Sequence, residues 1–224
     1  MKKLLLLLLL ILIGCSSPEP EPINIDTMLI ERDDVYYTKD TNQPYSGPVF
    51  SLYPDEDFYL LFYEGTLKDG RFHGTYKEYF DNGQLKIEGT SKNGVGEGPF
   101  KVYNENGQIE EEGTMKSDKI YGYHKIYSYY SNGIIYDEIT YKNGIENGPF
   151  KSYFKNGQLK EEGTMKDGKP DGPYKSYYEN GQVGEEYNFK DGQQDGLNKF
   201  YSENGQLEFQ ETYKDGELIE SKEY

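Results

Sequence analysis

The 224-residue chain has a single cysteine and no tryptophan, and positive charge is scarce in it: 24 Lys and Arg stand against 40 Asp and Glu, a formal charge of −16. One cysteine excludes an intrachain disulfide and a thiolate metal cage. The shortage of basic residues argues against nucleic acid and anionic headgroups as partners, since both need clustered positive charge. Long apolar runs are scarce too. The one that stands out, Leu4 to Ile13, has ten residues, and as a helix it would cover about 15 Å, half of a roughly 30 Å hydrocarbon core. What abounds is tyrosine, with 24 residues, and glycine, with 26. That much aromatic surface is not the composition of a disordered chain.

Lys2 and Lys3 precede the apolar run, so residues 1–14 read as a signal peptide and not as a span. Leu12-Ile13-Gly14-Cys15 resembles the lipobox of bacterial lipoproteins. The resemblance implies that Cys15 is lipidated and becomes the mature N-terminus, with enough acyl chains for stable anchoring. It also implies a cell-envelope address, and Ser16 after the cysteine favours the outer membrane in an organism that has two. Lipid on Cys15 is then the only route to a membrane. The Ser16–Pro22 stretch, SSPEPEP, alternates Pro with Glu, so residues 15–29 are expected to form an extended tether.

The remainder, 30–224, is a repeat. Units open at Gly47, Gly74, Gly98, Gly122, Gly148, Gly172 and Gly196, with spacings of 27, 24, 24, 26, 24 and 24, and residues 30–46 read as a degenerate cap. Each unit carries two turn dipeptides. The first is Asn-Gly at 82–83, 106–107, 132–133, 156–157, 180–181 and 204–205; the second is Asp-Gly or Asn-Gly at 69–70, 93–94, 143–144, 167–168, 191–192 and 215–216. Between runs rich in Tyr, Phe and Thr, such pairs predict two-residue type I′ hairpins. No helical periodicity is visible after the signal. The expected fold is all-β, an elongated, twisted meander of antiparallel hairpins.

With Asn-Gly at the tip, symmetric pairing puts the fourth residue of a unit opposite the fifteenth: Lys77 with Glu88, Lys101 with Glu112, Lys151 with Glu162, Lys175 with Glu186, and Lys199 with Gln210. The unit from Gly122 has two extra residues near Tyr129 and Tyr130, which predicts a bulge or a longer arm and leaves the pairing of Lys125 with Glu138 open. The same symmetry sets Phe80 against Leu85, Phe154 against Leu159 and Tyr178 against Val183. It lays Tyr76, Phe100 and Phe150 over Gly89, Gly113 and Gly163. Alternation then gives one face of Lys, Tyr, Glu and Thr and a second, aromatic face that is the better candidate for burial. The two edges of such a sheet are expected to be protected by charge and by Pro99, Pro149 and Pro173.

The pattern G-x-x-K-x-Y-Y-x-N-G-Q-L-x-x-E-G-T-x-K-D-G resembles the bacterial variant of the MORN (membrane occupation and recognition nexus) repeat, found in YwqK-like proteins labelled as toxin–antitoxin antitoxins. The resemblance implies a passive platform for proteins or membranes. Lacking Trp and strongly acidic, this chain departs from the eukaryotic form that is linked to phospholipid. The signal suits an envelope lipoprotein better than a cytoplasmic antitoxin.

Candidate chemistry is thin. Glu110-Glu111-Glu112, Glu161-Glu162 and Glu185-Glu186 could pose as glycosidase carboxylates, but neighbours on a strand point to opposite faces. His73 and His124 lie at unit boundaries without a ligand spacing, and Asp55-Glu56-Asp57 lacks a calcium-loop pattern and reads as a charged tip. No cofactor, metal or catalytic group is expected. The feature that could form a site is a column of tyrosines at the sixth position: Tyr79, Tyr103, Tyr127, Tyr153, Tyr177 and Tyr201, about 9.5 Å apart on the Lys–Glu face. Three functions follow in order: a protein-interaction scaffold for an unidentified protein, an antitoxin or immunity protein, and a glycan-binding or hydrolytic module.

Overall fold

A computed structural model describes residues 20–52, 61–130 and 133–224. The signal segment with Cys15, the Asp55-Glu56-Asp57 tip and Asn132 lie outside the described residues. Strands follow one another across one long sheet: Gly74–Tyr79 pairs with Leu85–Lys92, that strand with Val95–Tyr103, and that one with Ile109–Lys116, all antiparallel. The meander continues to Glu217–Glu223. At the other end Ile23–Asn24 lies parallel to Gly47–Leu52, which makes the sheet mixed. The substantial contacts run between strands that are neighbours in this order, as a linear stack of units requires.

The two turn dipeptides fold differently. At the second, Asp69-Gly70, Asp167-Gly168 and their counterparts have positive φ at both residues, the type I′ geometry expected. Ser117-Asp118 adopts it too, with φ of 52° and 60° and no glycine. At the first, only the glycine has positive φ, 79° at Gly83 and 85° at Gly157. The Phe80 carbonyl accepts from Gly83 N–H at 2.9 Å, and Phe80 N–H donates to Gln84 O at 2.8 Å. This is a type I turn closed by a left-handed glycine, a three-residue loop in place of the expected two. Asn82 is held there by its own side chain, whose Oδ1 accepts the Gln84 N–H at 2.9 Å.

The longer loop should slip the register by one residue, yet Lys77 still lies opposite Glu88. A bulge restores it: Tyr79 faces Leu85 while Glu78 faces Ile87, so Lys86 is the extra residue. Two departures cancel. Their visible trace is that Leu85, Leu159 and Val183 lie opposite Tyr79, Tyr153 and Tyr177, not opposite Phe80, Phe154 and Tyr178. In the unit from Gly122 the strands Gly122–Tyr130 and Gly133–Lys142 pair without interruption, so the extra residues lengthen the arms and Lys125 does face Glu138.

Between units the ladder breaks. Glu88 pairs with Lys101 and Ser91 with Gly96, leaving unequal lengths of chain between them. Gly98, with φ of 116°, makes the kink, and Pro99, which has no N–H to pair, follows it. The unit-opening prolines therefore sit at kinks inside the sheet and do not guard its edges.

Tyr76, Phe100 and Phe150 lie opposite Gly89, Gly113 and Gly163 as expected, so close that a Cβ on Gly163 would stand 2.9 Å from the Phe150 ring. The fully buried apolar cluster is at the N-terminal end: Ile25, Leu29, Val49 and Leu67, with Tyr36, Tyr63 and Phe72 packed on it. Ile25 enters through one turn of helix, Ile25–Met28, whose N–H groups at Asp26 and Thr27 are capped by Asn24 Oδ1. Four residues are too few to register as a helical period. Ile23–Asn24 is already paired in the sheet, so residues 23–29 belong to the cap instead of the tether.

Candidate functional site

The sixth-position tyrosines and the fourth-position lysines meet on one face. In the units from Gly74 to Gly172 the glutamate is flanked by two lysines, one within the hairpin and one from the next unit: Glu88 pairs with Lys77 and Lys101, Glu162 with Lys151 and Lys175, Glu186 with Lys175 and Lys199, whereas Glu64 of the first unit lies between Phe50 and Lys77. A row of alternating charge therefore runs from Glu64 through Lys77, Glu88, Lys101, Glu112, Lys125, Glu138, Lys151, Glu162, Lys175 and Glu186 to Lys199.

Within this row the ammonium groups choose between two neighbours. Lys175 bridges Glu186 at 2.9 Å, Lys125 bridges Glu138 at 3.2 Å, and Lys151 lies 3.8 Å from Glu162. Lys77, opposite Glu88 in register, sends its ammonium the other way, to Glu64 at 3.3 Å. These groups are partly exposed, so each pair contributes at most about 1 kcal/mol, and register is their main product.

The tyrosine hydroxyls bind the same carboxylates. Tyr79 donates to Glu64 at 2.7 Å, Tyr103 to Glu88 at 2.9 Å, Tyr177 to Glu162 at 2.8 Å and Tyr201 to Glu186 at 3.1 Å, and Tyr127 donates to Glu112. Every one of these bonds spans 15 residues and joins one unit to the next. Tyr153 departs from the series. Its backbone N–H takes Asp137 Oδ1 at 3.1 Å, its ring meets Tyr136 at 6.1 Å, and Glu138 is held by Lys125. Burial, then the glutamate hydrogen bond, pushes the Tyr79, Tyr103 and Tyr177 hydroxyls up to about 12. The Glu186 carboxyl is held below its ordinary value, first by its bond to Lys175. All six tyrosines are half-buried, and five of the six hydroxyls are committed to glutamates.

The inter-unit half of this network is absent from the sequence reading, although its signal is there: each glutamate precedes a lysine by 13 residues and a tyrosine by 15. The adjacent acids do divide between faces. Glu112 takes the Tyr127 hydroxyl, whereas Glu111 lies 3.3 Å from Nε2 of His124, a buried side chain between Phe100 and Tyr141. His73 Nδ1 lies 3.2 Å from Asn93 Oδ1. Among the described residues no three His, Cys, Asp or Glu side chains converge as a metal site would need, and no helix is long and apolar enough to cross a membrane.

A family model described as MORN repeat variant matches six stretches of the chain, residues 72–93, 96–117, 125–143, 146–167, 170–191 and 194–215. Each of the six begins just before or within a unit's first strand and ends at its second turn. Among curated proteins none matches the chain.

Proposed function

The chain belongs to the MORN repeat variant family, and from that premise we propose that it is a non-catalytic, lipid-anchored envelope scaffold that binds protein. The carrying observation is the periodic outer face, where six half-buried tyrosines and a self-neutralised Lys–Glu row repeat unit by unit along a linear sheet. Such a face offers one contact many times over, and multivalent binding multiplies a weak contact. Five of its six lysines bridge glutamates of the same row, and the tyrosine rings with the Thr and Pro side chains of the same face supply the contact surface. Anchoring rests on Leu12-Ile13-Gly14-Cys15 and the short apolar run before it.

In-cell crosslinking of the full-length protein, beside a Cys15→Ser variant, tests both parts. A protein captured with the lipidated form and lost with the variant is the expected result. Equal capture of a cytoplasmic protein by both forms would overturn the address and put an antitoxin role in its place.

A further inference from the structure

One cleft interrupts the aromatic face, and three departures from the repeat create it. From Gly74 onward the residue seven before each unit-opening glycine is large, Leu67, Met115, Tyr141, Met165 and Phe189, except at Ser91. The residue two before it carries a side chain, Phe72, Ile120, Glu146, Pro170 and Gln194, except at Gly96. Within the repeat units the second residue of the type I′ turn is glycine except at Asp118, which holds the same left-handed conformation, φ 60°. Ser91 and Gly96 are cross-strand partners, and Asp118 Oδ1 accepts the Gly96 N–H. All three line one cleft of about 450 Å³.

Its remaining walls are aromatic and acidic. Tyr36 and Tyr63 stand edge-on to Phe72, with ring centroids 6.0 and 5.4 Å from it, and Tyr76, Glu78 and Met115 are also part of the lining. The Tyr63 hydroxyl is buried with no hydrogen-bond partner. Among the described residues neither Glu78 nor Asp118 is in an ion pair. Aromatic faces beside uncompensated carboxylates attract an organic cation, and an unbranched apolar stem suits the uncharged floor left by Ser91 and Gly96. Elsewhere the protein pairs the same groups for itself, with Lys125 Nζ 4.2 Å from the centre of the Tyr136 ring and the Arg32 guanidinium 4.4 Å from that of Tyr37.

We propose that this cleft receives a lysine or arginine side chain of a partner polypeptide. The proposal rests on the scaffold reading only for the source of the cation; the site itself is separate from the outer tyrosine column. It names the chemistry of one contact and explains why the repeat is broken at these three positions together.

Calorimetric titration of the full-length protein with Nα-acetyl-lysine methylamide tests it, with the norleucine analogue as the neutral isostere. The lysine compound should bind saturably and the norleucine compound about tenfold more weakly. Ser91→Met with Gly96→Ile installs the residues of the next unit, Met115 and Ile120. A Cβ on Gly96 would stand 3.0 Å from the Met115 sulfur, 3.1 Å from the Asp118 carboxylate oxygen that accepts the Gly96 N–H, and 3.8 Å from the Asp118 Cα, so the two side chains must give by a few tenths of an ångström. That double variant gives up the Ser91 hydroxyl bonds to the Phe72 and Val95 carbonyls, and should stay folded, read by circular dichroism, and lose binding. Should it fail to fold, Glu78→Gln supplies the charge test, with binding weakened about fivefold. Equal affinity for norleucine, undiminished binding by the filled or Glu78→Gln variants, or binding of tetramethylammonium without the lysine compound would each overturn the proposal. None of these results bears on capture by crosslinking, so failure here and failure of the scaffold reading remain distinguishable.

Discussion

The glycine beneath each aromatic and the hydroxyl beside each glutamate decide how closely one strand fits the next. A Cβ on Gly163 would stand 2.9 Å from Phe150 and 3.2 Å from Tyr174, ring atoms that cannot swing away without exposing the strand. Gly163→Ala is therefore expected to destabilise the protein by about 1–3 kcal/mol, read as a lowered urea midpoint with an unchanged slope. Tyr177→Phe removes a bond to Glu162 and should lose about 0.5–1.5 kcal/mol. The tyrosines also set a pH limit. Because Tyr79, Tyr103 and Tyr177 keep their protons up to about 12 in the folded state, their contribution is complete below the ordinary value of 10.0 and is lost as pH rises through 12. Urea midpoints across that window should fall, and Tyr177→Phe should shallow the fall; a flat profile would mean that these hydroxyls carry no weight.

At the level of the hairpin, the two turns of a unit look alike in sequence and behave differently in the fold. Asn180 accepts from Gln182 N–H at 2.9 Å and donates to Glu203 O at 2.7 Å, in the next unit's turn. Asn180→Ala removes both bonds and should destabilise by about 1–2 kcal/mol. Asn180→Asp keeps the acceptor and loses the donor, so the difference between the two midpoints isolates the link between units. The strand pattern was legible because alternation determines it, and the Lys–Glu opposition within hairpins and the aromatic-over-glycine contacts came out as expected because the three-residue loop and the bulge at Lys86 cancel and leave the register a two-residue turn would set. The turn type was not, since Asn-Gly supports either loop and the choice falls to a side-chain bond two residues on. The pairing between units was not, because it depends on how many residues the Gly-Pro kink absorbs. The cleft could not be seen either: Ser91, Gly96 and Asp118 are 27 positions apart from first to last, and only the register between units brings them together.

Across the whole molecule the units of 24 residues keep the rows in phase, and the unit of 26 from Gly122 does so by lengthening both arms of its hairpin. Removing 148–171 joins Asn147 to Gly172, restores an Asn-Gly junction, and places Glu138 where Lys175 becomes its new neighbour, so the charge row stays alternating. Removing half as much would put lysine against lysine or strand against turn. A stack held by nearest-neighbour contacts should tolerate the first change and not the second. Urea unfolding of the 148–171 deletion, followed by circular dichroism, is the most direct test that the chain is a linear array of equivalent units. A cooperative transition at a lower midpoint, with the slope reduced by about one seventh, is the predicted result. Loss of all folded signal would contradict it, because a fold that collapses when one unit leaves is not built unit upon unit.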